Sequence, residues 1–137
     1  MHRSLDQYIY WTWIDKQANL WGMSKEAASL AWLHRRHQQL RRQLSQLGLI
    51  SQGSVQDRTA RQGGGAGYQW TRKVAQKTVT VSLTVDQFTK MKEAVANYRI
   101  LRQQLREMEN VSRRIIFQTM PHPGRRKRLS QAVLGLK

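Results

Sequence analysis

The chain has no cysteine, which excludes disulfides and cysteine-ligated zinc. It is poor in acids, with 8 Asp and Glu against 24 Lys and Arg and a net charge of +16. A domain this basic repels itself, and phosphates are the usual compensation. An anionic membrane surface is the second candidate. No apolar run approaches the roughly 18 to 20 residues that span a bilayer. The start of the chain does not read as a signal peptide. Asp6 and Asp15 flank its apolar patch, and Tyr and Trp stand where Leu and Ala would be expected. There are only 2 prolines, Pro121 and Pro123, which end the last helix. With 137 residues the chain is long enough for one small domain and too short for two substantial cores. The expected setting is cytoplasmic, in association with the nucleoid or a ribonucleoprotein, with no membrane partner.

What is present begins with aromatics. Tyr8, Ile9, Tyr10, Trp11, Trp13, Ile14 and Trp21 crowd into residues 1–23. At helical spacing Leu5, Ile9 and Trp13 share one face, and Trp11, Ile14, Ala18 and Trp21 share another. A helix apolar on two faces needs two partners. One is the rest of the chain. For the other, the candidates are a larger protein subunit, a second copy, or bases stacked on the rings. Tyr8, Tyr10, Trp11 and Trp13 are the candidate protein-interface residues.

Residues 24–120 read as a core domain of helix, hairpin and helix. Ser24 is the expected N-cap of the first helix, with Glu26 in its first turn. Leu30, Leu33, His37, Leu40, Leu44 and Leu47 repeat at three and four, a coiled-coil-like seam, with Gly48 as the expected C-cap. Arg35, Arg36, Arg41 and Arg42 fall largely off that seam as a basic stripe. Residues 49–67 read as a polar connector ending in Gly63-Gly64-Gly65-Ala66-Gly67. That run lacks the Gly-Lys-Ser/Thr ending of a phosphate loop and precedes a strand, so nucleotide binding of that kind is rejected.

Alternation predicts a two-stranded hairpin over Tyr68–Ala75 and Thr78–Leu83, turning near Ala75-Gln76-Lys77. Val79, Val81 and Leu83 are expected to pack on the helices, and the other face to offer Arg72 or Lys73, with Lys77 and several threonines, to solvent. Thr84 and Gln87 form a capping box for a helix from Val85 to about Gln118. Phe88, Met91, Val95, Tyr98, Leu101, Leu105, Met108 and Ile115 give it a seam, so it pairs antiparallel with the earlier helix. Residues 121–137 form a basic tail without acids, carrying Arg125, Arg126, Lys127 and Arg128. The fold class expected is α+β and mainly helical: an antiparallel long-helix pair, a packed two-stranded hairpin and an aromatic N-terminal helix.

Catalysis has little to stand on. The acids Asp6, Asp15, Glu26, Asp57, Asp86, Glu93, Glu107 and Glu109 are scattered, whereas two-metal chemistry needs carboxylates gathered in space. The 4 histidines lack metal-site spacing. No enzyme activity, cofactor or metal is expected.

The middle of the chain resembles an uncharacterised family of small bacterial and archaeal proteins, often cyanobacterial. The resemblance lies in Gly53-Ser54-Val55, then Gly67-Tyr68-Gln69-Trp70-Thr71-Arg72-Lys73-Val74 with Lys77-Thr78-Val79. It continues in Ala96-Asn97-Tyr98-Arg99 with Leu101, Leu105 and Glu107. Members carry a cysteine-rich insert that looks like a metal knuckle. Here Gln56 to Gly65 stand in its place without cysteine, so no metal role carries over. The resemblance implies a companion of mobile elements and no established activity.

The expected function is a non-catalytic, nucleic-acid-binding accessory subunit of a larger nucleoprotein complex, such as a transposition or RNA-guided machine. DNA and RNA both remain open as its partner. Its phosphate contacts would be Arg35, Arg36, Arg41, Arg42, Arg72, Lys73, Lys77, Arg125, Arg126, Lys127 and Arg128. The alternatives are an adaptor docking through the aromatic N-terminus, and a dimeric DNA-binding regulator whose seams join two copies.

Overall fold

The computed structural model describes residues 5–22, 24–59, 67–124 and 127–136. In chain order the elements are α1 (Leu5–Trp21), α2 (Lys25–Ser45), β1 (Ser54–Asp57), β2 (Tyr68–Val74), β3 (Lys77–Leu83) and α3 (Val85–Thr119). The class is α+β and mainly helical, as the patterning predicts. Among the described residues no helix is long and apolar enough to cross a membrane. The chain divides into two compact units, residues 1–43 with 106–137, and residues 44–105.

The first unit is helical. Ser24 caps α2 as expected, its hydroxyl accepting from the Ala27 N–H at 3.1 Å. The seam then closes within the chain. Leu33, Leu40 and Val111 are buried together, with Trp32, Met108 and Ile115 packed against them. The direction of the pairing is fixed at two levels. Gln118 Nε2 donates to the Glu26 carbonyl at 3.0 Å, and Arg36 Nε donates to Glu107 Oε1 at 2.6 Å. As the chain rises along α2 it descends along α3, so the two helices are antiparallel.

Helix α1 packs on α2 through Tyr10 and Ile14. Ile14 is 1% exposed, and the Tyr10 hydroxyl shares a 2.5 Å hydrogen bond with Ser29 Oγ. The Tyr10 ring meets Trp32 edge-on at 4.6 Å. This corrects the expected facing of Trp11. It was grouped with Ile14, but Tyr10 lies a full turn before Ile14 and takes the inward place, which leaves Trp11 50% exposed.

The tail is also less free than its composition suggests. Gly135 adopts φ +70° and ends a Schellman-type closure, with Leu136 N–H donating to the Gln131 carbonyl at 2.8 Å and Gly135 N–H to the Ala132 carbonyl at 3.1 Å. Arg113 Nη1 donates to the Gly135 carbonyl at 3.4 Å, and Leu134 and Leu136 are half-buried.

The second unit is built on a sheet and the first half of α3. The sheet is three-stranded and antiparallel in the order β1-β2-β3, where two strands were expected. Ser54–Asp57 pairs with Thr71–Tyr68. Its single apolar residue, Val55, is too little alternation to mark a strand, so the segment reads as connector until β2 supplies its partner. At the end of β1 the Thr59 hydroxyl and then its backbone N–H bond the Asp57 carboxylate, holding it below its ordinary range.

Both arms of the capping box are made, with Gln87 N–H to Thr84 Oγ1 at 3.2 Å and Thr84 N–H to Gln87 Oε1 at 3.0 Å. Two details of the helices differ from expectation. Gly48 is not a left-handed cap, because α2 ends at Ser45. Leu105 is 43% exposed and Gln104 takes the inward place. The run 101, 104, 108, 111, 115 keeps the three-four spacing that Leu105 would interrupt.

The hairpin register pairs Val74 with Lys77. Its two-residue turn places Ala75 at φ +46° and Gln76 at φ +65°. Both are left-handed conformations that Asn and Gly usually take in such a turn. Replacing Ala75 by Asn and Gln76 by Gly should therefore raise unfolding free energy by about 1 kcal/mol. Urea denaturation of the double variant checks this, and an unchanged midpoint would show that the turn is not strained.

Candidate nucleic-acid interface

The sheet register sorts the side chains of the second unit. Val55, Asp57, Tyr68, Trp70, Arg72, Val74, Lys77, Val79, Val81 and Leu83 lie on one face, with Asp57 at its base opposite Tyr68. The other carries Ser54, Gln56, Gln69, Thr71, Lys73, Thr78, Thr80 and Ser82, an array of hydroxyls and amides with one cation. Only the base of the apolar face is covered. Tyr68 packs on Phe88 of α3 with ring centroids 4.5 Å apart, and Leu83 is half-buried beside it. Farther out, Val79 and Val81, which were expected to pack on the helices, are 38% and 40% exposed, and Val74 on the same face is 40% exposed. Residues 72–82 are all exposed, so the distal hairpin forms an exposed arm.

This arm holds three of the predicted site residues together. Arg72 lies over the Trp70 ring at 5.2 Å, Lys77 shares its face, and Lys73 points the opposite way. All three are exposed, and the sequence has no acid between Asp57 and Asp86. Cation–π contact holds the Arg72 guanidinium flat while leaving its edge donors to solvent.

The base of the arm is fixed by a backbone device that the sequence did not announce. Gln52 donates through Nε2 to the Tyr98 hydroxyl at 2.9 Å, and its carbonyl accepts from Trp70 Nε1 at 2.9 Å. Asn97 Nδ2 donates to the Leu49 carbonyl at 2.9 Å, and Ser51 N–H to the Ala94 carbonyl at 3.1 Å. Residues 49–53 are thus tied to α3 on one side and β2 on the other. Gly53 at φ +110° lies directly under the indole, where a Cβ would stand 2.5 Å from Trp70 Nε1. Beside it, Gln52, Gly53, Val95, Tyr98, Arg99 and Arg102 line an open groove of about 460 Å³. Arg102 lies 5.9 Å from the centre of the Tyr98 ring.

The first unit distributes its predicted residues differently. Arg36 is half-buried, and both Nε and Nη2 lie 2.6 Å from Glu107 Oε1, so it serves the helix pair. Arg35 is exposed and lies over Trp13 at 5.5 Å. Arg41, Arg42, Lys127 and Arg128 are exposed. Arg125 and Arg126 lie outside the described residues, as do the first four residues of the glycine run. The aromatic set divides. Tyr10 and Trp13 are half-buried, whereas Tyr8 is 67% and Trp11 50% exposed. Among the described residues no three His, Asp or Glu side chains gather as a metal site would need.

The chain matches no family model, curated protein or solved structure in comparison. The geometry therefore stands alone.

Sequence reasoning missed Gln52, Arg99 and Arg102. The Arg-x-x-Arg spacing after Asn97-Tyr98 was the available signal, since it puts two guanidinium groups on adjacent turns of one helix face. Gln52 gave none, because its partners are far away in sequence.

Gly53→Ala should cost about 2 to 3 kcal/mol, because the methyl must displace the indole or the backbone. It should also expose the Trp70 indole N–H to exchange. A cost below about 0.5 kcal/mol would mean that the Gln52–Trp70 tie does not hold the arm.

Proposed function

We propose that the protein is a non-catalytic nucleic-acid-binding subunit that works within a larger nucleoprotein assembly. The observation that carries the reading is the hairpin arm. It extends from a fixed base, is exposed on both faces, and bears Arg72, Lys73 and Lys77 with no acid within its strands. Arms of this width enter a major groove or lie along a backbone. The charge supports the same partner. With 8 acids the chain cannot balance 24 cations, and among the described residues such ion pairs as Lys90–Glu93 at 3.7 Å and Arg113–Glu109 at 3.8 Å are exposed and weak. The exposed Arg35, Arg41, Arg42, Lys127 and Arg128 of the first unit supply further phosphate contacts. Association with mobile elements rests on the resemblance of residues 53–118.

The test is the salt dependence of binding. Replacing Arg72, Lys73 and Lys77 by Gln should lower the slope of log K against log salt by about 2 to 3, at close to 0.9 per duplex phosphate contact. Fluorescence anisotropy with labelled DNA and RNA at stepped salt reads it. An unchanged slope would remove the arm from the interface.

A second reading is favoured by the outer face of α1, where Tyr8, Ile9 and Trp11 are all at least half exposed. It takes these as the contact with a larger protein subunit. The dimeric reading loses its seam, since Leu33 and Leu40 are already covered by Val111 within the chain. Tyr8→Ser with Trp11→Ser should leave stability within about 0.5 kcal/mol and nucleic-acid affinity unchanged while abolishing entry into the assembly. Tyr10→Ala, by contrast, should cost about 2 kcal/mol by emptying a packed site. Urea denaturation and co-purification from the host distinguish the two. Equal destabilisation by both changes would make the outer aromatics structural.

A further inference from the structure

We propose that the groove between residues 52–53 and α3 is a second, separate binding site, for the phosphate of a single nucleotide unit. This rests on the nucleic-acid reading and adds to it a place where one nucleotide of a single strand is held.

Three observations carry it. First, the groove is bounded by fixed parts. Gln52 is tied to Tyr98 by its side chain and to Trp70 by its carbonyl, and Gly53 is held so close against Trp70 and Thr71 that no Cβ fits there. Its volume of about 460 Å³ falls in the range that small ligand sites occupy. Second, its charge is of one sign. Arg99 and Arg102 stand on adjacent turns, and no carboxylate lines the groove. The sequence from Ala94 to Arg106 contains no acid, and among the described residues neither arginine has an ion pair. Third, the lining is mixed. Val95 supplies apolar surface, the Tyr98 ring lies beside the Arg102 guanidinium, the Gln52 amide donates to the Tyr98 hydroxyl, and Arg99 and Arg102 supply the cations.

That mixture suits a nucleotide. Two guanidinium groups offer bidentate contact to phosphate oxygens. The apolar and aromatic lining suits the sugar or the face of a base, and the amide suits a base or a hydroxyl. A duplex keeps its bases stacked inside, so a base that meets this lining must come from a single strand. The same chemistry would accept a free mononucleotide, and the experiment separates the two sources.

The experiment compares the full chain with Arg99→Gln/Arg102→Gln and with Arg99→Lys/Arg102→Lys. Neither arginine makes a hydrogen bond among the described residues, so circular dichroism should be the same for all three. Binding is measured by anisotropy to a labelled 20-nucleotide single strand and to a 20-base-pair duplex at stepped salt. The Gln variant should bind the single strand about tenfold more weakly, with a salt slope lower by about one. Duplex affinity should change by less than twofold. The Lys variant should regain the slope but not the full affinity, since ammonium groups restore charge without the bidentate geometry.

An equal loss for strand and duplex would overturn the proposal by making these arginines general charge. No change in either would also overturn it, while leaving the hairpin reading in place. Failure of the native protein to bind any nucleic acid would overturn both. The last arm follows the Tyr98 ring by NMR during titration with adenosine monophosphate. A shift only at millimolar ligand supports a strand subsite, and saturation at micromolar ligand overturns it in favour of a free nucleotide.

Discussion

The helical unit depends on one seam. Leu33 and Leu40 from α2 close on Val111 of α3, and little else in that unit is fully buried apart from Ile14 and Ala28. A core this thin cannot tolerate loss of alignment, and polar contacts at its margins set the register. The Arg36–Glu107 pair and the Gln118–Glu26 bond fix the helices along their axes, where leucines alone would allow sliding. The pair is half exposed, so it adds at most about 1 kcal/mol, and its value is in alignment. In a chain with 24 cations and 8 acids, one carboxylate is spent at the edge of the seam. It draws a guanidinium into the pair that would otherwise join the repelling surface.

The second unit solves a different problem, how to hold a charged hairpin away from a core. A hairpin alone is marginal in water. Here β1 adds a third strand, Tyr68 rests on Phe88, and the Trp70 indole is bonded to the Gln52 carbonyl. All three supports act near the proximal end of β2. The distal half is supported only by its own ladder, and this is why valines that would serve as core elsewhere are left exposed. The expected packing of Val79 and Val81 fails for this geometric reason.

Much of the helical architecture was legible because its signals are local. Ser24, the Thr84–Gln87 box and the three-four leucine spacing each require only neighbouring residues to be read, and each is observed. Strand β1 was not legible, since Ser54-Val55-Gln56-Asp57 acquires its conformation from β2 and not from its own alternation. The facing of Trp11 was misjudged because a helix rich in aromatics on several sides has no clear period, and Tyr10 took the inward place beside Ile14. In the candidate site, Arg72, Lys73 and Lys77 were visible as charges on a predicted hairpin. The groove was not, because Gln52 and Tyr98 meet only after the chain has formed the sheet between them.

The turn of the hairpin joins these points. Two non-glycine residues in left-handed conformations make it tighter than Ala75 and Gln76 would choose, and both are exposed. The enforcement comes from the seven-residue ladder behind it, which sets Val74 opposite Lys77 and Lys73 opposite Thr78. A longer, relaxed loop would let those cations wander. The tight turn instead fixes Arg72 and Lys77 on one face and Lys73 on the other, within a strand-width of one another. Charges fixed on both faces at such spacing repel, and anions on both sides of the arm would relieve that repulsion. On the proposed reading those anions are phosphates that flank the hairpin as it lies in a groove, and the strain at Ala75 and Gln76 is the local cost of presenting cations to both walls at once.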